Sequence, residues 1–175
     1  MTKLSNVYFI GDLHFGHKNI CRIRPDFKTV DEHDEALCAI WNSKVKKDND
    51  IVFVCGDAAF TAEGVERYGS LRGRKFLVHG NHDVFSTNRY LVHFEQVVGI
   101  TKYKSNGKKF WVTHAPIHPD ELRGRPNIHG HVHFNTIRTK DGEIDARYYN
   151  VSAENIGYEP RTIEELARLP RKSET

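Results

Sequence analysis

At 175 residues, with 38% hydrophobic and 28% charged residues, the chain has the size of one globular domain and enough apolar content to bury a core. The net charge of +3 is too small to signal a nucleic-acid binder by itself, and no apolar run approaches the ~20 residues that span a bilayer. Cys21, Cys38 and Cys55 are widely spaced and form no C-x-x-C pair, which argues against a disulfide framework or a zinc knuckle and for reduced thiols.

The opening MTKLSNVYFIGD carries a single Lys and runs straight into strand-like residues, unlike a signal peptide, so a cytoplasmic protein is expected. Val7 to Ile10 reads as the first strand, ended by Gly11. Thr29-Val-Asp-Glu32 matches a capping box and starts a helix whose apolar face is Ala36, Leu37, Ile40, Trp41 and Val45. Ile51 to Cys55 is a second strand, ended by Gly56, and a short helix is expected from Ala62 to Tyr68. Phe76 to Val78 is a third strand, followed closely by Gly80 and Asn81. Asn106-Gly107 is a two-residue hairpin signal leading into a strand from Lys108 to Thr113. Asn127 to His129 is a further short strand. Asp141-Gly142 predicts a second hairpin, joining Thr136–Thr139 to Ile144–Val151. Thr162-Ile-Glu-Glu165 is another capping box, starting a terminal helix that Pro170 stops. With no repeat, low-complexity segment or linker, residues 1–175 read as a single domain, a layered α/β arrangement of two sheets with helices outside. Trp41, Phe53, Phe76 and Trp111 are core candidates by pattern, and the basic stretches at Lys44, Lys46 and Lys47, at Arg72, Arg74 and Lys75, and at Lys102, Lys104, Lys108 and Lys109 read mainly as solvated faces.

The chain contains 11 histidines, scattered rather than clustered as a tag, so their positions need a reason. Asp12 and His14 follow the first strand, Asp57 the second, and Asn81 and His82 the third. His114 follows the Lys108–Thr113 strand, and His131 and His133 follow Asn127–His129. In α/β sheets, ligands bind beyond the carboxyl ends of strands, so five segments deliver Asp, Asn or His to one kind of location. Asp12 and His14, like His131 and His133, are i, i+2 pairs that share one side in extended backbone. Gly11, Gly56, Gly80 and Gly130 each precede a candidate ligand, where a missing Cβ allows a sharp turn and a close approach. Carboxylates, an amide and imidazoles without thiolate suit Mn²⁺, Fe or Zn²⁺ rather than a Cys-rich structural zinc site. Without His82, the seven candidates Asp12, His14, Asp57, Asn81, His114, His131 and His133 exceed one tetrahedral ion and suit two ions ~3.5–4 Å apart that share a carboxylate.

The ordered series Asp12-x-His14, Gly56-Asp57, Gly80-Asn81-His82-Asp83, Thr113-His114 and Gly130-His131-x-His133 resembles the calcineurin-like metallophosphoesterases, over residues 6–134. Asn150-Val151-Ser152 and Tyr158-x-Pro160 resemble the ending of small bacterial and phage members. The resemblance implies an α/β fold of two mixed β-sheets packed as a sandwich with helices on the outside. It implies Asp12, His14 and His133 on one metal and Asn81, His114 and His131 on the other, with Asp57 bridging. His82 would contact the phosphate and protonate the leaving oxygen, with Asp83 orienting it. Two divalent ions are expected, Mn²⁺ foremost, with Fe, Zn²⁺, Ni²⁺ and Mg²⁺ as alternatives. One departure is Ala58-Ala59-Phe60 after Asp57, where many members carry an acidic or amide residue.

Two roles are open to His17, a phosphate contact or a cap for the next helix. His118, Arg123 and Arg125 lie in a loop rich in Pro and Gly and are candidate substrate contacts or solvated loop residues. His79 and His129 read as packed residues, His33 and His93 as surface ones. The expected activity is hydrolysis of a small-molecule or nucleotide phosphoester by in-line attack of a bridging hydroxide, as a phosphodiesterase or broad phosphatase. A nuclease acting on DNA or RNA is the alternative that the basic stretches support, and a non-catalytic scaffold of the same fold is a third. No membrane partner is expected, and oligomeric state is left open.

Overall fold

In the computed structural model, which describes residues 5–170, two four-stranded sheets carry the chain. The first four residues, at the start of the stretch read above against a signal peptide, lie outside the described residues. The first sheet runs β1 (Val7–Ile10), β2 (Ile51–Val54), β3 (Arg74–Val78) and β4 (Gln96–Val98), and all its pairings are parallel. The second runs β5 (Ile100–Ser105), β6 (Lys108–Thr113), β7 (Asn127–His129) and β8 (Tyr148–Asn150), with β5 antiparallel to β6 and the rest parallel. The expected α/β architecture of two sheets and helices is therefore present; only the second sheet is mixed. Between β1 and β2 lie α1 (Ile20–Ile23) and α2 (Val30–Lys44), then α3 (Ala62–Glu66) before β3, α4 (Thr87–Tyr90) before β4, and α5 (Ile163–Leu166) after β8.

Local chemistry explains the ends of these elements. Thr29 Oγ1 accepts from Glu32 N, and Glu32 reaches back to Lys28 N, so the expected box on α2 is shifted by one residue on its return bond. α2 buries Leu37 and Trp41, with Val45 just past its end, and Trp41 Nε1 donates to Arg72 O at 2.9 Å. At α5 the box is complete. Asn106 and Gly107 take φ of 48° and 78°, the mirror-image turn that matches strand twist in a two-residue hairpin.

The sheets meet through aromatic rings. Phe9 is fully buried, stacks on Phe53 at 5.4 Å and meets Tyr103 of β5 edge-on at 5.1 Å. On β6, Phe110 and Val112 are buried while Trp111 is only partly so, with Lys102 and Arg125 over its ring at 4.8 and 5.1 Å. Strand alternation thus puts Trp111 on the other face from the core, contrary to expectation. Phe76 is likewise partly exposed beneath Arg74, whereas Phe53 packs against the core. Lys75 is buried rather than solvated, donating to the carbonyls of Leu71 and Gly73.

The second expected hairpin is also corrected. Asp141-Gly142 does turn, with Thr139 N donating to Glu143 O, but it supports only an isolated bridge between Arg138 and Ile144. Tyr148–Asn150 instead adds to β7 in parallel, where the open edge of β7 meets its backbone hydrogen-bonding needs and Tyr148 becomes buried. Among the described residues, no helix is long and apolar enough to cross a membrane.

Because Phe9 touches both sheets, Phe9→Ala should lower unfolding free energy by about 3–5 kcal/mol in urea titrations. A loss below about 1 kcal/mol would show that the sheets do not depend on this contact.

Candidate metal centre

The strand ends that carry the candidate ligands are stitched together by backbone bonds. Asp12 N donates to Gly56 O and His14 N to Asp57 O, both at 3.0 Å. Gly11 N donates to Val151 O at 2.8 Å, and Gly130 N to His114 O at 2.9 Å. Between these bonds the chain does something not expected from the i, i+2 spacing. Asp12, His14, Asp57, His131 and His133 take φ of 54°, 55°, 50°, 73° and 50°, the left-handed region rather than extended backbone. An extended pair would hold its side chains some 6.5–7 Å apart along the strand, too far to reach one point. Left-handed residues curl the chain so that both do. Asp and His tolerate that region better than most residues, yet each such position stores on the order of 1–3 kcal/mol.

Three glycines form the cradle. A Cβ on Gly56, which has φ of 80°, would overlap the His114 ring; one on Gly80 would overlap the Asp57 carboxylate, and one on Gly130 the Asp12 carboxylate. The chain approaches the cluster closer than any side chain allows.

Inside the cradle, acceptor faces acceptor. His14 Nε2 stands 3.8 Å from Asp12 Oδ1 and 3.7 Å from Asp57 Oδ2, and neither ring nitrogen of this buried histidine has a hydrogen-bond partner. Those gaps are too long for hydrogen bonds but suit atoms sharing one ion ~2.0–2.2 Å from each. His114 Nδ1 lies 2.9 Å from Cys55 O, which only accepts, so Nδ1 carries the proton and Nε2 presents a lone pair. That lone pair faces Asn81 Oδ1 at 2.9 Å and Asp57 Oδ1 at 3.4 Å, and neither oxygen can donate to it. His131 Nδ1 lies 3.1 Å from the same nitrogen. Possible donor atoms of Asp12, His14 and His133 fall within 4.8 Å of one another, as do those of Asp12, Asp57 and His114. The oxygen and nitrogen set suits divalent cations, and Asp12 belongs to both groups. Cys55 lies beneath the site, but burial pushes its thiol up, so it offers no thiolate. Asp12, His14, Asp57 and His114 are buried, while Asn81 and His131 are exposed, so the cluster opens to solvent on one side.

His82 stands exposed at that mouth, its backbone N–H donating to Asp57 Oδ1 at 2.9 Å and its ring 4.9 Å from Phe60. Asp83 does not contact the His82 ring as expected. Its buried carboxylate accepts instead from the backbone N–H groups of Asp57, Ala58 and Gly80 at 3.0, 2.8 and 2.8 Å. It braces two ligand loops because no other acceptor reaches their N–H groups. Burial raises its pKa, and the neighbouring Asp57 adds to the rise against the pull of those N–H groups.

Phe60, in the departure noted after Asp57, has its ring near His14, His17 and His82 at 5.1, 4.3 and 4.9 Å. Phe60 thus gives this side of the cluster an apolar wall. His17 does not cap α1, whose N-cap is Asn19; its ring lies beside Phe60 and 5.8 Å from His14. His118, Arg123 and Arg125 engage elsewhere. His118 is 71% exposed and caps the turn Pro119–Glu121, Arg123 pairs with Glu121, and Arg125 covers Trp111. His33, expected at the surface, is fully buried because Arg24 and Asp34 meet its two nitrogens; His93, half-buried, pairs with Glu66. His79, expected to be packed, is exposed, because its neighbour Gly80 rather than its own ring turns inward. His129 is buried as expected, and burial pushes its pKa down to about 4, leaving a neutral ring. Sequence reasoning missed Glu154 and Arg24, both buried behind the ligands, because Glu154 stands beside Ser152 and Asn155 in a mixed segment that sets no polar residue apart.

A family model described as calcineurin-like phosphoesterase matches residues 5–166. The chain belongs to the calcineurin-like phosphoesterase family. The chain is 30% identical over 182 residues to an uncharacterized protein of Methanocaldococcus jannaschii, covering 97% of this chain and 93% of that one. It is 41% identical over 85 residues to the Gene 66 protein of Mycobacterium phage L5, covering 46% of this chain and 41% of the phage protein. Among solved structures it resembles a protein of unknown function from Aquifex aeolicus, with a TM-score of 0.75 at 25% identity over 95% of this chain and all of that one. The family is metal-dependent, in keeping with the donor cluster.

Gly56→Ala should cost at least the roughly 1–2 kcal/mol of a left-handed alanine and weaken Mn²⁺ binding by tenfold or more, measured by thermal melts and metal titration. Gly99→Ala, where a Cβ meets nothing within 4 Å, is the matched control and should change neither.

Proposed function

We propose that this phosphoesterase is a dinuclear-metal hydrolase of small-molecule or nucleotide phosphoesters, working by in-line attack on phosphorus. The observation that carries the reading is a half-buried cleft in which Asp and His donor atoms lie within 4.8 Å of one another while neither ring nitrogen of the buried His14 has a hydrogen-bond partner. In this reading Asp12, His14, His133 and Asp57 hold one ion, and Asp57, Asn81, His114 and His131 the other. Divalent cations held there, Mn²⁺ foremost, would supply positive charge for the phosphate oxygens and lower the pKa of a bound water toward neutrality.

The remaining work falls to the chain. Two backbone N–H groups, from His131 to Asp12 and from His82 to Asp57, orient the carboxylates while leaving other lone pairs free. His82 stands at the mouth on the Phe60 ring, placed to hold a proton for the departing alkoxide. His17, with Phe60 and Thr61, lines an adjacent recess that can receive part of a small substrate. Of the basic stretches behind the nuclease alternative, Lys75 is used inside the fold, donating to the Leu71 and Gly73 carbonyls, and Arg74 pairs with Glu95.

A panel with added Mn²⁺ tests the proposal: a phosphomonoester, a phosphodiester, a 2′,3′-cyclic nucleotide and single-stranded DNA. Hydrolysis of one of the first three, with DNA intact, is expected; preferential, steeply salt-dependent cleavage of DNA would install the nuclease instead. Asp57→Ala should abolish turnover and metal retention together. His82→Ala should cut turnover of an alkyl ester by about 10²–10⁴-fold with metal retained, and much less for a nitrophenyl ester, whose leaving group needs no proton. Full alkyl-ester activity in that variant would end the proton-donor assignment.

A further inference from the structure

Behind the ligands lies a buried chain of charged side chains that the proposed chemistry does not use. Glu154, in the turn Ala153–Ile156, accepts from His133 Nδ1 through Oε1 at 2.7 Å and from Arg24 Nη2 through Oε2 at 2.6 Å. Arg24 is 1% exposed, and its Nη2 also donates to Asp12 O at 2.5 Å and its Nη1 to Leu13 O at 3.3 Å. Nη1 further lies 2.8 Å from His33 Nε2; a guanidinium only donates, so that nitrogen is unprotonated and His33 Nδ1–H donates to Asp34 Oδ1 at 2.7 Å. Asp34 then accepts from Gly16 N at 2.8 Å and pairs with Arg67 at 3.3 Å.

Stability alone does not explain this network, since a well-packed apolar replacement of a buried ion pair is often neutral or stabilising. Its contact points do. Every branch near the cluster ends on a segment bearing a candidate ligand: the His133 ring, the carbonyls of Asp12 and Leu13, and the Gly16 amide just beyond His14. Those segments hold the left-handed residues Asp12, His14 and His133, which persist only where neighbours over-determine them.

We propose that Glu154 and Arg24 are a buried positioning pair for the cation held by Asp12, His14 and His133. Glu154 holds His133 as the Nδ1–H tautomer, so that Nε2 is the nitrogen offered to the ion, and Arg24 holds the carbonyls of the left-handed turn that aims Asp12 and His14. Neither residue touches substrate. This deepens the dinuclear reading and rests on it.

The test titrates metal-free protein with Mn²⁺ alone, counting sites by electron paramagnetic resonance and calorimetry. Wild type should bind two ions. Glu154→Gln, which keeps the shape but not the charge, should weaken one site by about 10–100-fold and leave the other within threefold. Equal weakening of both sites, or of neither, overturns the proposal; a wild type that binds no Mn²⁺ overturns the dinuclear reading itself, a distinguishable result. A purely structural role would instead lower the urea stability of the metal-free variant without separating the sites. Should Glu154→Gln not fold, nitrogen-15 spectra of the wild-type histidines in the metal-free protein decide the matter. His133 must appear as the Nδ1–H tautomer, and an Nε2–H tautomer rules the pair out.

Discussion

The site end of this molecule depends on one constraint: the carboxylates of Asp12 and Asp57 are buried beside an imidazole whose nitrogens donate to nothing. Gathering buried carboxylates and an unpartnered imidazole in one place costs free energy, and side chains on a loose chain would splay apart to escape it. Here the backbone prevents escape. β1 and β2 are parallel neighbours in register from Val7–Ile51 to Ile10–Val54, so the residues that follow them start side by side. The bonds from Asp12 N to Gly56 O and from His14 N to Asp57 O then carry that alignment into the loops.

Parallel pairing is what makes the arrangement economical. In a parallel sheet all carboxyl ends lie at one edge, so β1, β2 and β3 deliver ligand loops without any long excursion. The second sheet contributes through β6 and β7, also parallel to each other, whose ends present His114 and the His131–His133 segment to the same edge. Phe9, Phe53 and Tyr103 hold the two sheets face to face, and Gly11 joins them where its N–H meets Val151 O and its carbonyl accepts from Ala153 N. Packing energy in the core is thereby converted into position at the rim.

Strain and its restraint are also paired. The left-handed ligand residues sit in conformations that an isolated chain would leave, and buried polar side chains that are not themselves candidate ligands bind the backbone around them. Asp83 collects the N–H groups of two ligand loops, and Arg24 collects the carbonyls of a third. Rigid preorganisation of this kind is what a site needs if charge is to develop on a substrate without the protein relaxing around it.

By itself the sequence determined the strands Val7–Ile10, Ile51–Val54 and Lys108–Thr113, the hairpin at Asn106-Gly107 and the helices begun by Thr29 and Thr162, because strand periodicity and turn chemistry are local properties. The strand Gln96–Val98 and the parallel place of Tyr148–Asn150 were not legible. Only the tertiary structure decided how the candidate ligands converge. Left-handed backbone at Asp12, His14, His131 and His133 arises from bonds to distant loops, so an extended reading of each pair was the natural one and was wrong. The same holds for Glu154, whose partner Arg24 lies 130 positions away in sequence. A charged residue becomes a buried partner only when another segment supplies its counter-charge, and no local pattern records that meeting.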